Sequence, residues 1–250
     1  MATSFGAICN DFYINATLAL KLDLPTERET LLHLFDRVRK SQPEMNRLKR
    51  YEGELALESV RPTQESEYRW LALRRNNIRT GHVNPRSMEK GYELHRLVLE
   101  LSPYHLSISP LDVSFVELLF GFDLECKANH DEVVYDALFS QSPVAQLLRY
   151  PGAQVSDVQP LFGMVLGEGD IHCSFDVKTR LKSKRSRSRR FQDEPISILL
   201  TMRKYGPVQS TEELLPIFNT LASKAEQLAA DQLIPHLLTP IARQITSSNT

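Results

Sequence analysis

The chain has 250 residues, 42% of them hydrophobic and 24% charged, with 10 glycines and 14 prolines. That is ordinary globular composition and excludes a collagen-like or globally disordered chain. Thirty basic against 31 acidic residues leave a net charge of −1, so bulk charge names no polyanionic partner. No apolar run approaches the roughly 18 residues of a spanning helix, so no membrane association is expected. Met1 to Asn10 lacks the basic-then-apolar order of a signal peptide. Cys9, Cys126 and Cys173 are odd in number and far apart, which argues against a disulfide framework and for a reducing, cytoplasmic setting.

In chain order, Phe12 to Leu22 alternates Phe12, Ile14, Ala16, Leu18, Leu20 and Leu22 with Tyr13, Asn15, Thr17, Ala19 and Lys21, which predicts a long strand with one face on a core. Pro25 and the capping-box pattern Thr26–Glu29 predict a helix to about Lys40, burying Leu31, Leu34, Phe35 and Val38. Leu55 to Val60 reads as a short strand. Tyr68–Arg75 and Ile78–Val83 read as a hairpin around Asn76-Asn77. A second helix is expected from Asn84-Pro85 to Leu101, with Pro103 marking its end.

Asp112 to Cys126 predicts a second long strand, bulged near Gly121 where the alternation slips. Asn129 is the expected N-cap of a helix whose opening acids, Asp131 and Glu132, suit its positive end. Val158–Leu166 and Ile171–Val177 read as a hairpin, and Ile196–Tyr205 as the next strand. A helix from Ser210 to about Ala230 and a last amphipathic one, started or bent by Pro235 and Pro240, complete the chain.

The charge is segregated. Lys178, Arg180, Lys182, Lys184, Arg185, Arg187, Arg189 and Arg190 lie within thirteen residues that contain no acid; without them the chain has 22 basic and 31 acidic residues, a net −9. Such a segment has no apolar face to bury and is expected as an exposed loop able to meet phosphates.

The order β-α-β-β-β-α occurs twice, over residues 1–105 and 106–250, the second unit adding the basic loop 178–190 and an extra C-terminal helix. Asp23 and Arg50 in the first unit match Asp123 and Arg149 in the second at spacings of 27 and 26 residues. The two units are expected to share one sheet as a single domain. The expected class is α+β: an internally duplicated, curved antiparallel sheet with helices packed on one face.

This duplicated order resembles the TATA-box binding protein family, and the resemblance implies a saddle-shaped sheet with an open face and a nucleic-acid partner. Ile78-Arg79-Thr80-Gly81 resembles the apolar-x-Thr-Gly ending of a strand in that family. Asn15, expected on the open face, is similar in placement to a base-reading asparagine of the family, which adds it to the nucleic-acid-binding candidates. The family's wedging phenylalanines have no counterpart in Arg61–Glu67 or Gly167–Asp170, and Glu54, Glu58, Asp123 and Asp176 are expected on the open face, where they would repel phosphate. Contact is therefore assigned mainly to the basic loop, with little sequence preference.

No recognisable catalytic set emerges. Adjacent His172 and Cys173 point to opposite faces of a strand, His95 and His105 lack further metal ligands, and Gly163, Gly167 and Gly169 miss the phosphate-loop spacings. Trp70, the single tryptophan, is expected in the core. No catalytic residue, metal or cofactor is assigned. The expectation is a non-enzymatic binding protein whose partner is DNA or RNA; the alternative is a protein-interaction scaffold with no nucleic-acid role.

Overall fold

The computed structural model describes residues 5–63, 66–148, 150–167, 171–179 and 194–248. Its elements are β1 (Asp11–Leu20), α1 (Arg28–Ser41), β2 (Met45–Tyr51), β3 (Glu54–Ser59), β4 (Tyr68–Arg74), β5 (Asn77–Val83), α2 (Met88–His105), β6 (Val113–Leu124), α3 (His130–Leu138), β7 (Leu161–Leu166), β8 (Ile171–Lys178), β9 (Ile196–Tyr205), α4 (Leu214–Leu228) and α5 (Thr239–Ser248). A π-helical stretch, Ala229–Leu238, joins α4 to α5 and contains Pro235, which has no N–H to donate.

The fold is α+β. Nine strands form one antiparallel, curved and unclosed sheet in the order β2-β3-β4-β5-β1-β6-β9-β8-β7. The two long strands β1 and β6 pair at the centre, and on each side the next strand outward is the last of its half, β5 or β9.

Alternation decides which face the helices cover. Phe12, Ile14, Ala16, Leu18 and Leu20 of β1 are all buried, as are Val116, Leu118, Phe120 and Phe122 of β6 and Ile196, Ile198, Leu200 and Met202 of β9. The rings of Phe5, Phe12 and Phe122 meet at centroid distances of 5.1–5.9 Å. On α2 and α4, Tyr92, His95 and Phe218 continue this core. Among the described residues no helix is long and apolar enough to cross a membrane.

Several expectations are corrected. The first half contains an additional strand, β2, so its order is β-α-β-β-β-β-α. The Thr26–Glu29 capping box does not form: Glu27 stands at the N-cap of α1, and no side chain caps that end. The β4–β5 turn is Arg75-Asn76, with Arg74 paired to Asn77. Pro103 lies inside the last turns of α2 and does not end it. β6 has no bulge at Gly121; the register with β1 is continuous there and shifts instead between Ala19 and Leu20. Lys21 lies past the end of β1, where its Nζ donates to the Leu111 carbonyl at 2.8 Å. Asp23 is in an exposed loop beside Arg75, whereas Asp123 lies within β6, so the two aspartates are not equivalent. Arg149, the last of those landmarks, is outside the described residues.

Candidate nucleic-acid interface

The face of the sheet opposite the helices is the candidate surface. The period of two places Tyr13, Asn15 and Thr17 of β1 on it, with Gly81 of β5 opposite Asn15 and Gly121 of β6 opposite Tyr13. Both glycines leave room for a ring. A Cβ at Gly121 would overlap the Tyr13 ring, and one at Gly81 would overlap the Trp70 indole. Trp70 is thus half-buried on the open face and not in the core, where the sequence had suggested it. Between the two rings, Asn15 Oδ1 is buried and has no hydrogen-bond partner.

Glu54, Glu58, Asp123 and Asp176 lie on this face as their parity predicts; three of them pair with cations and Asp123 with a serine hydroxyl. Glu54 pairs with Arg74. Glu58 accepts from Lys49 Nζ at 2.6 Å and from the Tyr51 hydroxyl at 2.7 Å. Burial pushes the Glu58 carboxyl up, but these donors hold it below its ordinary range. Glu117 accepts from Arg203 Nε at 2.8 Å, and the Arg203 guanidinium lies 4.3 Å from the Phe115 ring centre. Arg79 lies 5.4 Å from the Trp70 ring. Asp123 accepts from Ser197 Oγ at 2.7 Å; burial, and then Asp11 across the ladder, raise its carboxyl above the ordinary value.

Of the eight clustered cations, Lys178 ends β8 on this face, opposite Ser197 and paired with Asp176. Arg180, Lys182, Lys184, Arg185, Arg187, Arg189 and Arg190 lie outside the described residues. The start of the segment is anchored. Thr179 is buried; its hydroxyl donates to Asp131 Oδ1 at 2.8 Å, and its carbonyl lies 3.1 Å from His130 Nδ1. Asp131 also accepts from the Val158 N–H at 2.9 Å, and Asn129 caps α3 by accepting from the Asp131 N–H at 3.1 Å. Asp131, in the first turn of α3, therefore also holds the root of the basic segment.

The arrangement nearest to an acid–base pair is His82 with Glu67, 2.7 Å apart, a pairing the sequence did not reveal because fifteen residues separate the two. His82 is wholly buried, and Arg69 closes over it by donating to Glu67 Oε1 at 2.6 Å and to Gln42 Oε1 at 2.6 Å. Burial and then the Arg69 charge push the His82 ring below its ordinary value. Burial likewise raises the thiols of Cys9 to about 12 and of Cys173 to about 11, so neither is a thiolate nucleophile at neutral pH. His172 is exposed and Cys173 buried, on opposite faces of β8. Among the described residues no three His, Cys, Asp or Glu side chains converge to hold a metal ion.

The fold and face define an α+β protein with an open sheet surface crossed by ion pairs. No protein-family model matches the chain. No curated protein matches it either. Among solved structures it is similar to the di-domain ARO/CYC BexL from the BE-7585A biosynthetic pathway, at 8% identity and a TM-score of 0.24 over 77% of this chain and 75% of that one. A likeness at that score decides neither fold nor chemistry.

Proposed function

We propose that this is a non-enzymatic binding protein with a TATA-box-binding-protein-like saddle, contacting nucleic acid mainly through the basic segment 178–190 and with little sequence preference. The observation that carries the proposal is charge segregation: eight cations in thirteen residues on a remainder of net −9. The buried anchoring of Thr179 by Asp131 and His130 supports it, because it fixes the root of the segment to the folded body. The pairing of Lys49, Arg74 and Arg203 with carboxylates supports a small contribution from the face, because these three cations are already neutralised. With five phosphate contacts, the logarithm of affinity for duplex DNA would fall against that of salt with a slope of roughly −4 to −5. Anisotropy of labelled duplex and single strand across a salt series tests this. Replacing Lys184, Arg185, Arg187, Arg189 and Arg190 with Gln should abolish binding and leave thermal stability unchanged. No binding by the unaltered protein at low salt would refute the proposal.

One observation favours the alternative of a protein-interaction scaffold. Edge strand β7 exposes apolar side chains on both faces: Leu161 (64%), Phe162 (52%) and Val165 (51%). Among the described residues its outer backbone groups have no partner strand, so a further strand could add there.

A further inference from the structure

A cleft of about 590 Å³ opens between the N-terminal half of α1 and the helix-side surface of β2, β3 and β4. Leu31, Leu32 and Phe35 form one wall and Leu48, Leu55 and Leu73 the other. Its volume falls within the roughly 300–1,000 Å³ of small-molecule sites. Leu48 remains 51% exposed although its neighbours are apolar, so the cleft is incompletely filled by the chain itself. Its lining also includes Arg28, Arg50, Arg75 and Asp23, while the bordering Arg74 and Glu54 pair with each other on the open face. Arg75 donates to Asp23 at 2.8 Å. Arg28 and Arg50 have no ion pair among the described residues. Arg28 stands on the first turn of α1, where the helix's own partial positive charge repels a cation and no side-chain cap offsets it.

We propose that this cleft binds an anionic amphiphile, an acidic head group on a medium-length alkyl chain. The chain would lie between the two leucine-rich walls, and Arg28 and Arg50 would donate charge-assisted hydrogen bonds to the head. Charge complementarity selects this occupant: an apolar segment without an anion would leave both guanidinium groups unpaired. A bare phosphate would leave the walls in water. The proposal is separate from the nucleic-acid reading, since the residues of the cleft and of the basic segment do not overlap.

The test is calorimetric titration of the full chain with decanoate, decyl phosphate and decanol. Decanoate or decyl phosphate should bind saturably at a single site, and the comparison between them identifies the head group preferred. Decanol should bind about tenfold more weakly or worse, the loss of one charge-assisted hydrogen bond. The double substitution Arg28→Gln/Arg50→Gln should weaken anion binding by about tenfold or more without lowering the thermal midpoint, since both side chains are exposed. Leu48→Asp, on the exposed side of the wall, should weaken it comparably. Neutralising residues 184–190 should leave it unchanged, so the two proposals fail independently. No saturable binding of either anion, equal binding of decanol, or equal binding by the double variant would overturn the site.

Discussion

Lowering the pH from 7 to about 5 should destabilise the protein through a histidine that does not touch solvent. His95 is fully buried on α2, with Nδ1 2.6 Å from Thr80 Oγ1 and its ring 5.8 Å from that of Phe218. Burial, and next the nearby His82, push its pKa down from 6.5 to about 3. Between those values the unfolded chain takes up a proton that the folded chain refuses. The stabilisation is therefore complete above pH 6.5 and is lost as pH falls toward 3. At about 1.36 kcal/mol per pH unit, the step to about pH 5 costs about 2 kcal/mol, a visible part of the roughly 5–15 kcal/mol typical of a domain. His82, also pushed down, acts in the same direction. Glu58 and Glu67 lie below their ordinary carboxylate range, so their contribution is lost only at still lower pH. Asp123, raised, acts oppositely and makes the variant comparison necessary. Urea unfolding of the wild type and His95→Gln at both pH values isolates the residue. The variant should be less stable at pH 7 yet lose about 2 kcal/mol less on acidification. Equal losses in both proteins would refute the assignment of the pH dependence to His95.

Two further predictions concern the surfaces. Gly81→Ala should expel the indole of Trp70, the single tryptophan, and shift its fluorescence to the red, because the new Cβ overlaps that ring; unchanged emission would show that the ring does not lie on Gly81. If β7 is a docking edge for a second copy, light scattering should show mass rising with concentration, and Phe162→Lys with Val165→Lys should remove that rise; a mass independent of concentration would exclude self-pairing there.

What the sequence revealed follows from where burial is periodic. β1 and β9 were legible because each presents five or four consecutive alternate positions to the core, and Ile196–Tyr205 matched to the residue. β2 was missed because only Met45 of its seven residues is buried; its ladder to β3 holds it, and ladders leave no mark on hydrophobic spacing. The apparent slip at Phe120-Gly121-Phe122 had a different cause from a bulge. Gly121 faces the open side and is buried there by the Tyr13 ring, so three successive residues are buried without a change of register. Trp70 was misplaced because Leu71 and Leu73 claim the inner face of β4 and leave it the outer one. At the candidate interface, the four open-face carboxylates lie where alternation places them, but the pairing of Glu54 and Glu58 with cations on neighbouring strands required the sheet order. The apolar cleft had no linear signal at all, since its walls come from four elements.

Asn15 is the residue on which the two parts of the nucleic-acid reading can be separated. It sits at the centre of the sheet on the open face, between Gly81 and Leu119, with its Oδ1 buried and unpartnered. An orphaned buried acceptor costs roughly 1–3 kcal/mol, and a β-branched residue fits a central strand better than asparagine does. Asn15→Val should therefore stabilise the protein by about 1 kcal/mol, or at worst be neutral. If the basic segment carries binding, the same substitution should leave affinity for duplex DNA and its salt slope unchanged, because the segment is attached at the ends of β8 and β9. If binding falls instead while stability holds or rises, the buried oxygen is a group waiting for a base edge, and the contact belongs on the open face between Tyr13 and Trp70. Measuring unfolding and anisotropy on the one variant distinguishes these outcomes, because a structural loss would move both readings and a loss of recognition only the second.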